Sequence, residues 1–520
     1  MTAAHILLSY SMDDNSQNGN GGPIFETVPV EQPAQNQAAS DQEQLMPEEL
    51  APTVGGLDQA EATQLQPEVV PIEAEPQAVY KEHSSKLPII AGAVVVFILL
   101  FVGILFALTN SNKQNKAAPK QITLTYWGLW EEKEVMDVLI KEYQRTNPNV
   151  IVQYEKKSPQ DYRQKLLTWS QKGQGPDIFR FHNTWIPQIQ EVVAPISENV
   201  MTGAEFERTF YPIHAKDLKI GRGIYGIPLM IDSMVLLIND DLLKKAGISS
   251  PPADWGELIS TATQVTVKTK EGNLITAGIA AGTATNVEHY SEVFGLMLLL
   301  NGGDVSELSS ALSSAEAVGA LEAYRSFAEE PNNVWSDLMP NSITAFMEGK
   351  VAMIFAPTWE LYTIKSTVPE MKITVLPIPA PPGSGELSLA SYWIEGVSRV
   401  SPHQEEAWKF LKYLASKDGQ TKMFEVQSNL RPFGTAYARR DLAELLVQDD
   451  ILGPVVKMAS EDKLVSLPLV TRTFDDGLND EIVRYIQNAI NAASQGVAYR
   501  EALITAQKGV DQVLQRYKIE

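Results

Sequence analysis

Trp127 and Trp130 stand close together, directly after a stretch in which Ile122, Leu124 and Tyr126 alternate with Thr123 and Thr125. Flat indole rings in such a place can cover the apolar CH faces of a small polar solute. Asp, Glu, Asn and Arg side chains can take its hydroxyls, often in pairs. Binding pockets mix the two kinds because each polar group must be satisfied once water leaves. More groups of both kinds follow. Asp232 lies in an apolar run between Ile231 and Val235, where a carboxylate buried without a partner is costly. Tyr290 opens an apolar helical stretch, and Tyr392, Trp393 and Glu395 cluster together. Arg431 precedes Pro432 in a loop. Packing competes with binding at each place. One of the two early tryptophans suits a core, as does Tyr290. The cluster at 392–395 suits packing as well, and Arg431 suits a surface ion pair.

Other chemistries lack their residues. The 520-residue chain has no cysteine, which excludes disulfides, thiolate metal sites, a cysteine nucleophile and a lipid anchor on cysteine. Its six histidines are dispersed and form no HExxH pair. Asp475-Asp476-Gly477-Leu478-Asn479-Asp480 is similar to a calcium loop but lacks EF-hand spacing. No Walker A motif and no GxSxG elbow occurs. A formal net charge of −22 disfavours nucleic acid. No metal and no cofactor is expected.

The elements that must position these groups read as a βαβαβ series. After the strand at 122–126, Val135, Val138, Leu139 and Tyr143 recur at helical spacing, and Asn147-Pro148 ends the helix. Val150–Val152 predicts a second strand, Tyr162–Ser170 a second helix and Asp177–Phe181 a third strand. Such a series implies a parallel sheet covered by helices. Ligands bind outside the carboxyl ends of such strands. Those ends carry Trp127 with Trp130, and His182 with Asn183. Further strands are predicted within 224–238, 351–356 and 371–377. Further helices are predicted at 254–265, 294–300, 343–347, 405–414 and 481–493. About 400 residues of mixed α/β pattern suit two domains better than one.

Two regions precede the folded part. Residues 1–86 carry fourteen Asp and Glu, two Lys and no Arg, with apolar residues scattered singly. Such a segment cannot bury enough surface to offset its ordering entropy, so it reads as a disordered acidic tail. Residues 89–108 read IIAGAVVVFILLFVGILFAL, without charge or polar side chain. At about 1.5 Å per residue this run spans the ~30 Å hydrocarbon core, and it predicts a transmembrane helix over 87–109. A polar linker occupies 110–120. Lys81 and Lys86 flank one side, and Lys113, Lys116 and Lys120 flank the other. That tally favours a cytoplasmic C-terminal domain. Capture of a solute favours the opposite orientation, with the domain outside and the tail in the cytoplasm, and this is the expectation carried forward.

Five segments, in order, resemble the bacterial family 1 extracellular solute-binding proteins of the maltose-binding type. They are ITLTYWGLWEEKEVMDVLIKEYQRTNPNVIV with GQGPDIFRFHNTW, then GIYGIPLMIDSMVLLINDDLLKKAGISSPPADWGEL, AFMEGKVAMIFAPTWEL, ITVLPIPAPPGSGE and EEAWKFLKYLAS. The likeness covers roughly 121–510. It implies an α/β fold of two lobes joined by crossing segments, the type II periplasmic-binding-protein-like fold, with the ligand between the lobes. Lobe one would be 121–230 plus 396–447, and lobe two 231–395 plus 448–520. The internal span and the acidic tail depart from the family pattern.

The resemblance also assigns roles. Phe181 and Asn183 follow the strand where the family places a polar ligand contact, although Asn183 also suits a helix cap. Asp232 aligns with a family acidic residue, and Trp359 matches a stacking tryptophan. Tyr392, Trp393 and Glu395 fall at a lobe crossing. The implied activity is capture of a sugar or oligosaccharide without chemistry. Closure of the cleft and delivery to the permease subunits of an ABC transporter would follow. The protein is expected to be a monomer at the cell membrane. Two alternatives stand beside this reading. One is a membrane-anchored receptor or glycan adhesin without transport. The other is a glycan-processing enzyme, since carboxylates are plentiful enough to hide a catalytic pair.

Overall fold

The computed structural model describes residues 120–519, except 306, 307 and 469. The predicted tail and membrane span lie outside them. Among the described residues no helix is long and apolar enough to cross a membrane.

The described residues open with strands β1 (Ile122–Gly128), β2 (Val150–Lys156) and β3 (Ile178–His182), separated by helices α1 (Lys133–Thr146) and α2 (Tyr162–Gln171). Helix α1 forms because Val135, Met136, Leu139, Ile140 and Tyr143 make one buried stripe. It stops where the Asn147 side chain donates to the Tyr143 carbonyl at 3.0 Å, just before Pro148. The short strands β4 (Lys219–Ile220), β5 (Gly223–Ile224) and β6 (Ile227–Pro228) follow. Then come β7 (Met234–Asn239), α3 (Trp255–Val265), β8 (Val267–Lys268), β9 (Leu274–Ala280) and α4 (Tyr290–Leu300). Next are β10 (Val351–Pro357), α5 (Glu360–Thr367), β11 (Ile373–Leu376), β12 (Ser388–Leu389) and β13 (Trp393–Val397). The chain ends with α6 (Gln404–Leu414), α7 (Lys417–Leu430), β14 (Leu464–Val465), α8 (Leu478–Ser494) and α9 (Tyr499–Tyr517).

Among the described residues two five-stranded sheets result, in the orders β2-β1-β3-β13-β6 and β11-β7-β10-β9-β8. In the first, β1 runs parallel to β2 and β3, as the alternation predicted. Strand β13 returns antiparallel to β3, with Trp393 opposite His182. The lobe-one sheet therefore takes in all of Trp393–Val397, and the crossing expected at 395/396 falls earlier, before Trp393. The chain passes between sheets at Leu229–Ser233 and again at Ala390–Tyr392. These passages run side by side: Ser233 pairs with Ala390, and the Ser391 N–H donates to the Asp232 carbonyl at 3.0 Å.

Lobe one's sheet is tied internally by a buried ion pair. Arg180 on β3 meets Glu395 on β13 at 2.5 Å, and its Nη1 donates to the Leu129 carbonyl at 2.9 Å. Gly128 admits the Tyr154 ring beside it, because a Cβ there would collide with the Tyr154 hydroxyl.

Candidate functional site

The carboxyl ends of β1 and β3 build one wall. After Gly128 the backbone turns sharply, and Trp130 sits at φ 65° with its side chain 42% exposed. A left-handed conformation is costly for a bulky residue and persists only where surrounding structure imposes it. The Trp130 ring lies 5.8 Å from that of Trp393, which packs on His182 at 5.0 Å and Trp185 at 5.3 Å. His182 shares its ring nitrogens with Thr184 and Ser391. Burial, with the nearby Arg163 adding, pushes its ring down to about 3, so it is neutral.

The other wall belongs to lobe two. Trp359 begins α5, its ring 5.8 Å from His289 and 6.3 Å from Phe474. Phe474 is also left-handed, at φ 55°, and 37% exposed. Arg472 lies over the Phe474 ring at 4.5 Å and pairs with Glu288 at 2.9 Å. Beneath Trp359, His289 is fully enclosed between Glu360, 3.1 Å from Nε2, and Glu292, 3.8 Å from Nδ1. Burial alone would lower its pKa, but the two carboxylates outweigh it and hold the imidazole at about 9. His289 in turn holds Glu292 below its usual range against the opposing effect of burial.

Two hollows lie here. A nook of about 20 Å³ is lined by residues that include Trp359, His289, Ser391 and Phe474. A wider hollow of about 480 Å³ lies along Tyr290, Glu288, Asn341, Arg472 and Phe474. The first has room for little more than a water; the second falls within the range of small-ligand pockets. Contacts also link the walls across the floor. Arg431 lies 4.6 Å over the Tyr362 ring of α5 and 3.8 Å from Glu131, the neighbour of Trp130. Phe433 stacks on Tyr362 at 4.3 Å.

The structure thus gathers Trp130, Trp393, Trp359 and Arg431 around this region, whereas Tyr290 is buried under the wider hollow and donates its hydroxyl to the Val483 carbonyl at 3.2 Å. Trp127 is half-buried on the far side of the same sheet end, against Trp169 and Tyr162. The others are corrected. Phe181 is wholly buried beside Phe179 in the core. Glu395 is spent on Arg180 and has no exposed surface. Asn183 donates to Ser466 at 2.8 Å and accepts from the Tyr392 N–H at 3.3 Å. The buried Tyr392 donates its hydroxyl to Asp217 at 2.5 Å. Both therefore brace the crossing instead of facing a ligand.

Asp232 is also internal. Its Oδ1 accepts from the Ser233 N–H, the Thr358 N–H and the Thr358 hydroxyl, and its Oδ2 from the Trp359 N–H at 3.1 Å. Burial raises this carboxyl to about 6 despite these bonds. It positions the start of α5, and with it Trp359, at the crossing. The acidic run at 475–480 is folded in the same way. The Asp480 carboxylate accepts four backbone N–H groups, from Thr473 to Asp476, and Asp475 pairs with Arg163 at 2.8 Å. Among the described residues no cluster suited to a metal ion exists.

Sequence reasoning missed His289, Glu292, Arg472 and Phe474. The His289 and Glu292 spacing on one helix was a signal. Nothing local marked Glu360 as the third member.

Fold and site together match a known class. The sequence pattern of the bacterial extracellular solute-binding proteins fits residues 138–450, more than half of the chain. The chain belongs to that family, whose members bind solutes and are not enzymes. It is 27% identical over 308 residues to a binding protein of Brucella abortus, covering 58% of this chain and 73% of that one. It is 23% identical over 376 residues to the multiple sugar-binding protein of Streptococcus mutans, covering 69% and 85%. The fold matches an ABC transporter solute-binding protein of Thermotoga lettingae bound with α-D-tagatose. There the TM-score is 0.59 at 24% identity, over 76% of this chain and all of that one.

Proposed function

We propose that this protein captures a sugar or oligosaccharide between its lobes and delivers it to the permease of an ABC transporter. The domain would be held outside the cell by the apolar run at 89–108, with the acidic tail in the cytoplasm. One observation carries the reading. Trp130, after β1, and Phe474, beside Trp359, are each exposed and each in a backbone conformation that a bulky residue rarely adopts. Rings held out at such cost suit stacking on the apolar faces of a sugar. Arg472, Glu288 and Asn341 supply partners for its hydroxyls. The sugar-binding relative from Streptococcus mutans supports the same solute class.

Ligand binding to the native state alone raises the melting temperature. A thermal-shift screen of the full chain against sugars, polyols, amino acids and oligopeptides tests the reading. A shift confined to sugars is the expected result; a shift with amino acids or peptides alone defeats it. Protease treatment of intact cells tests the placement. The domain from residue 120 onward should be degraded, and its protection would put it inside.

A further inference from the structure

The turn at 288–292 ties together two parts of the lobe-two wall that are far apart in sequence. Glu292 accepts the Arg472 N–H at 2.9 Å. Glu288 takes the Arg472 side chain through its carboxylate at 2.9 Å and its carbonyl at 3.1 Å. The segment that carries Phe474 is thereby docked on this turn. His289 reaches the other part. Its Nε2 lies 3.1 Å from Glu360, in the first turn of α5, and its ring stands nearly perpendicular to that of Trp359 at 5.8 Å. Its Nδ1 faces Glu292 at 3.8 Å, an ion-pair distance and not a hydrogen bond. His289, Glu292 and Glu360 are all buried.

One imidazole between two buried carboxylates can answer both only while it is protonated. A neutral ring carries one N–H, and an imidazolium carries two. Loss of the proton leaves one carboxylate, and the part of the wall it belongs to, without its counter-charge. The pairing itself holds the ring at about 9 against burial. Two other charged groups face this cluster. Arg472 is paired by Glu288, and the Oδ2 of Asp232 accepts the Trp359 N–H at 3.1 Å. Burial raises Asp232 to about 6. Above pH 7 Asp232 is therefore largely ionised and Arg472 stays charged, so among these groups His289 is the one that changes state.

We propose that His289 is a positioning residue for ligand capture: through Glu360 it sets Trp359, and through Glu292 it sets the segment Arg472–Phe474, so that one buried ring registers both parts of the wall. The ligand, a sugar, rests on the reading above; the positioning does not. The Trp359 and Phe474 rings meet at 6.3 Å, and a solute that touches both needs them in register. When His289 loses its proton the two parts can shift independently, and affinity falls. Capture then has an alkaline limit near pH 9, set inside the protein and not by the uncharged ligand.

The test has two arms, both on the full chain and its His289→Gln and Glu360→Gln variants. The first needs no ligand. Hydrogen exchange at pH 7 should be faster in His289→Gln for peptides covering 358–361 and 471–474, and unchanged for those covering 122–128. Faster exchange throughout would make His289 a general packing residue and overturn the proposal, as would no change. The second arm is calorimetric titration with α-1,4-linked glucotriose and β-1,4-linked mannotriose from pH 7 to pH 10. The unchanged chain should bind about tenfold more weakly at pH 10 than at pH 7. His289→Gln should bind weakly and equally across the range, and Glu360→Gln, with one carboxylate fewer, should move the fall to lower pH. A flat profile in the unchanged chain, or the same fall in His289→Gln, overturns the proposal. If neither trisaccharide binds, the failure falls on the sugar reading, and the exchange result alone decides the positioning.

Discussion

The two walls of the gap are made differently. On lobe one, the polar groups behind the surface are consumed by one another: Arg180 by Glu395, His182 by Thr184 and Ser391, Asn183 by Ser466. Rings remain to face outward, and His182 is neutral. On lobe two the rings of Trp359 and Phe474 stand among ionised groups that still reach solvent, with Arg472 against Glu288 and Arg484 facing Asp476 at 3.6 Å. Beneath them His289 is held charged between two carboxylates. One wall offers faces, and the other offers faces with donors and acceptors. A solute that has both an apolar face and a rim of hydroxyls would satisfy the pair together, and neither wall alone. Closure of the kind proposed would then depend on ligand.

This contrast can be broken at several points. The largest effect should come from Glu395→Ala, which leaves Arg180 buried and uncompensated. It should cost about 3–5 kcal/mol by urea denaturation. A loss below about 1 kcal/mol would mean that Arg180 is not committed to the interior, and that lobe one's wall is not the neutral surface described. Next comes pH. The folded pKa of His289, about 9, lies above the ordinary 6.5. Its stabilisation is therefore full below about pH 6.5 and lost as pH rises through about 9, roughly 3 kcal/mol in all. Unfolding measured from pH 6 to pH 9.5 should show that decline, and His289→Gln should flatten it. An unchanged slope in the variant would remove the buried charge from lobe two.

Smaller effects sharpen the same comparison. Trp359→Ala should weaken sugar binding about thirtyfold, the scale of a hot-spot residue. Its melting temperature should barely change, because the ring is only partly buried. Trp130→Gly should separate binding from folding. Glycine accepts a φ of 65° without strain, so the melting temperature should hold or rise while affinity falls. A fall in both would make Trp130 a packing residue.

The division between legible and hidden parts follows range along the chain. Local periods carried β1, α1, β2, α2 and β3, because alternation and helical stripes are complete within a few residues. Some elements went unread, among them strand β9, helix α9 and the helices Ala315–Arg325 and Lys417–Leu430. Helix α7 shows why. Only Gly419, Gln420, Met423 and Gln427 are buried along its fourteen residues, a stripe with a single large hydrophobe. The aromatic candidates were legible as residues at strand ends, but carboxylates were not. Asp232 looked costly without a partner, yet its partners at Thr358 are 126 positions away, and those of Glu395 at Arg180 are 215 away. Distant pairing of this kind decides whether a polar residue faces a ligand or braces a hinge, and spacing along the chain does not reveal it.

The central claim is that the lobes close on a sugar, and the chain's lack of cysteine makes it directly measurable. Glu132→Cys and Thr363→Cys would place one spin label on each rim, since both residues are exposed. Distances between the labels can be read in the full chain with and without a saturating oligosaccharide. The distribution should become shorter and narrower when ligand is added. An unchanged distribution, with the same ligand demonstrably bound, would contradict capture by closure.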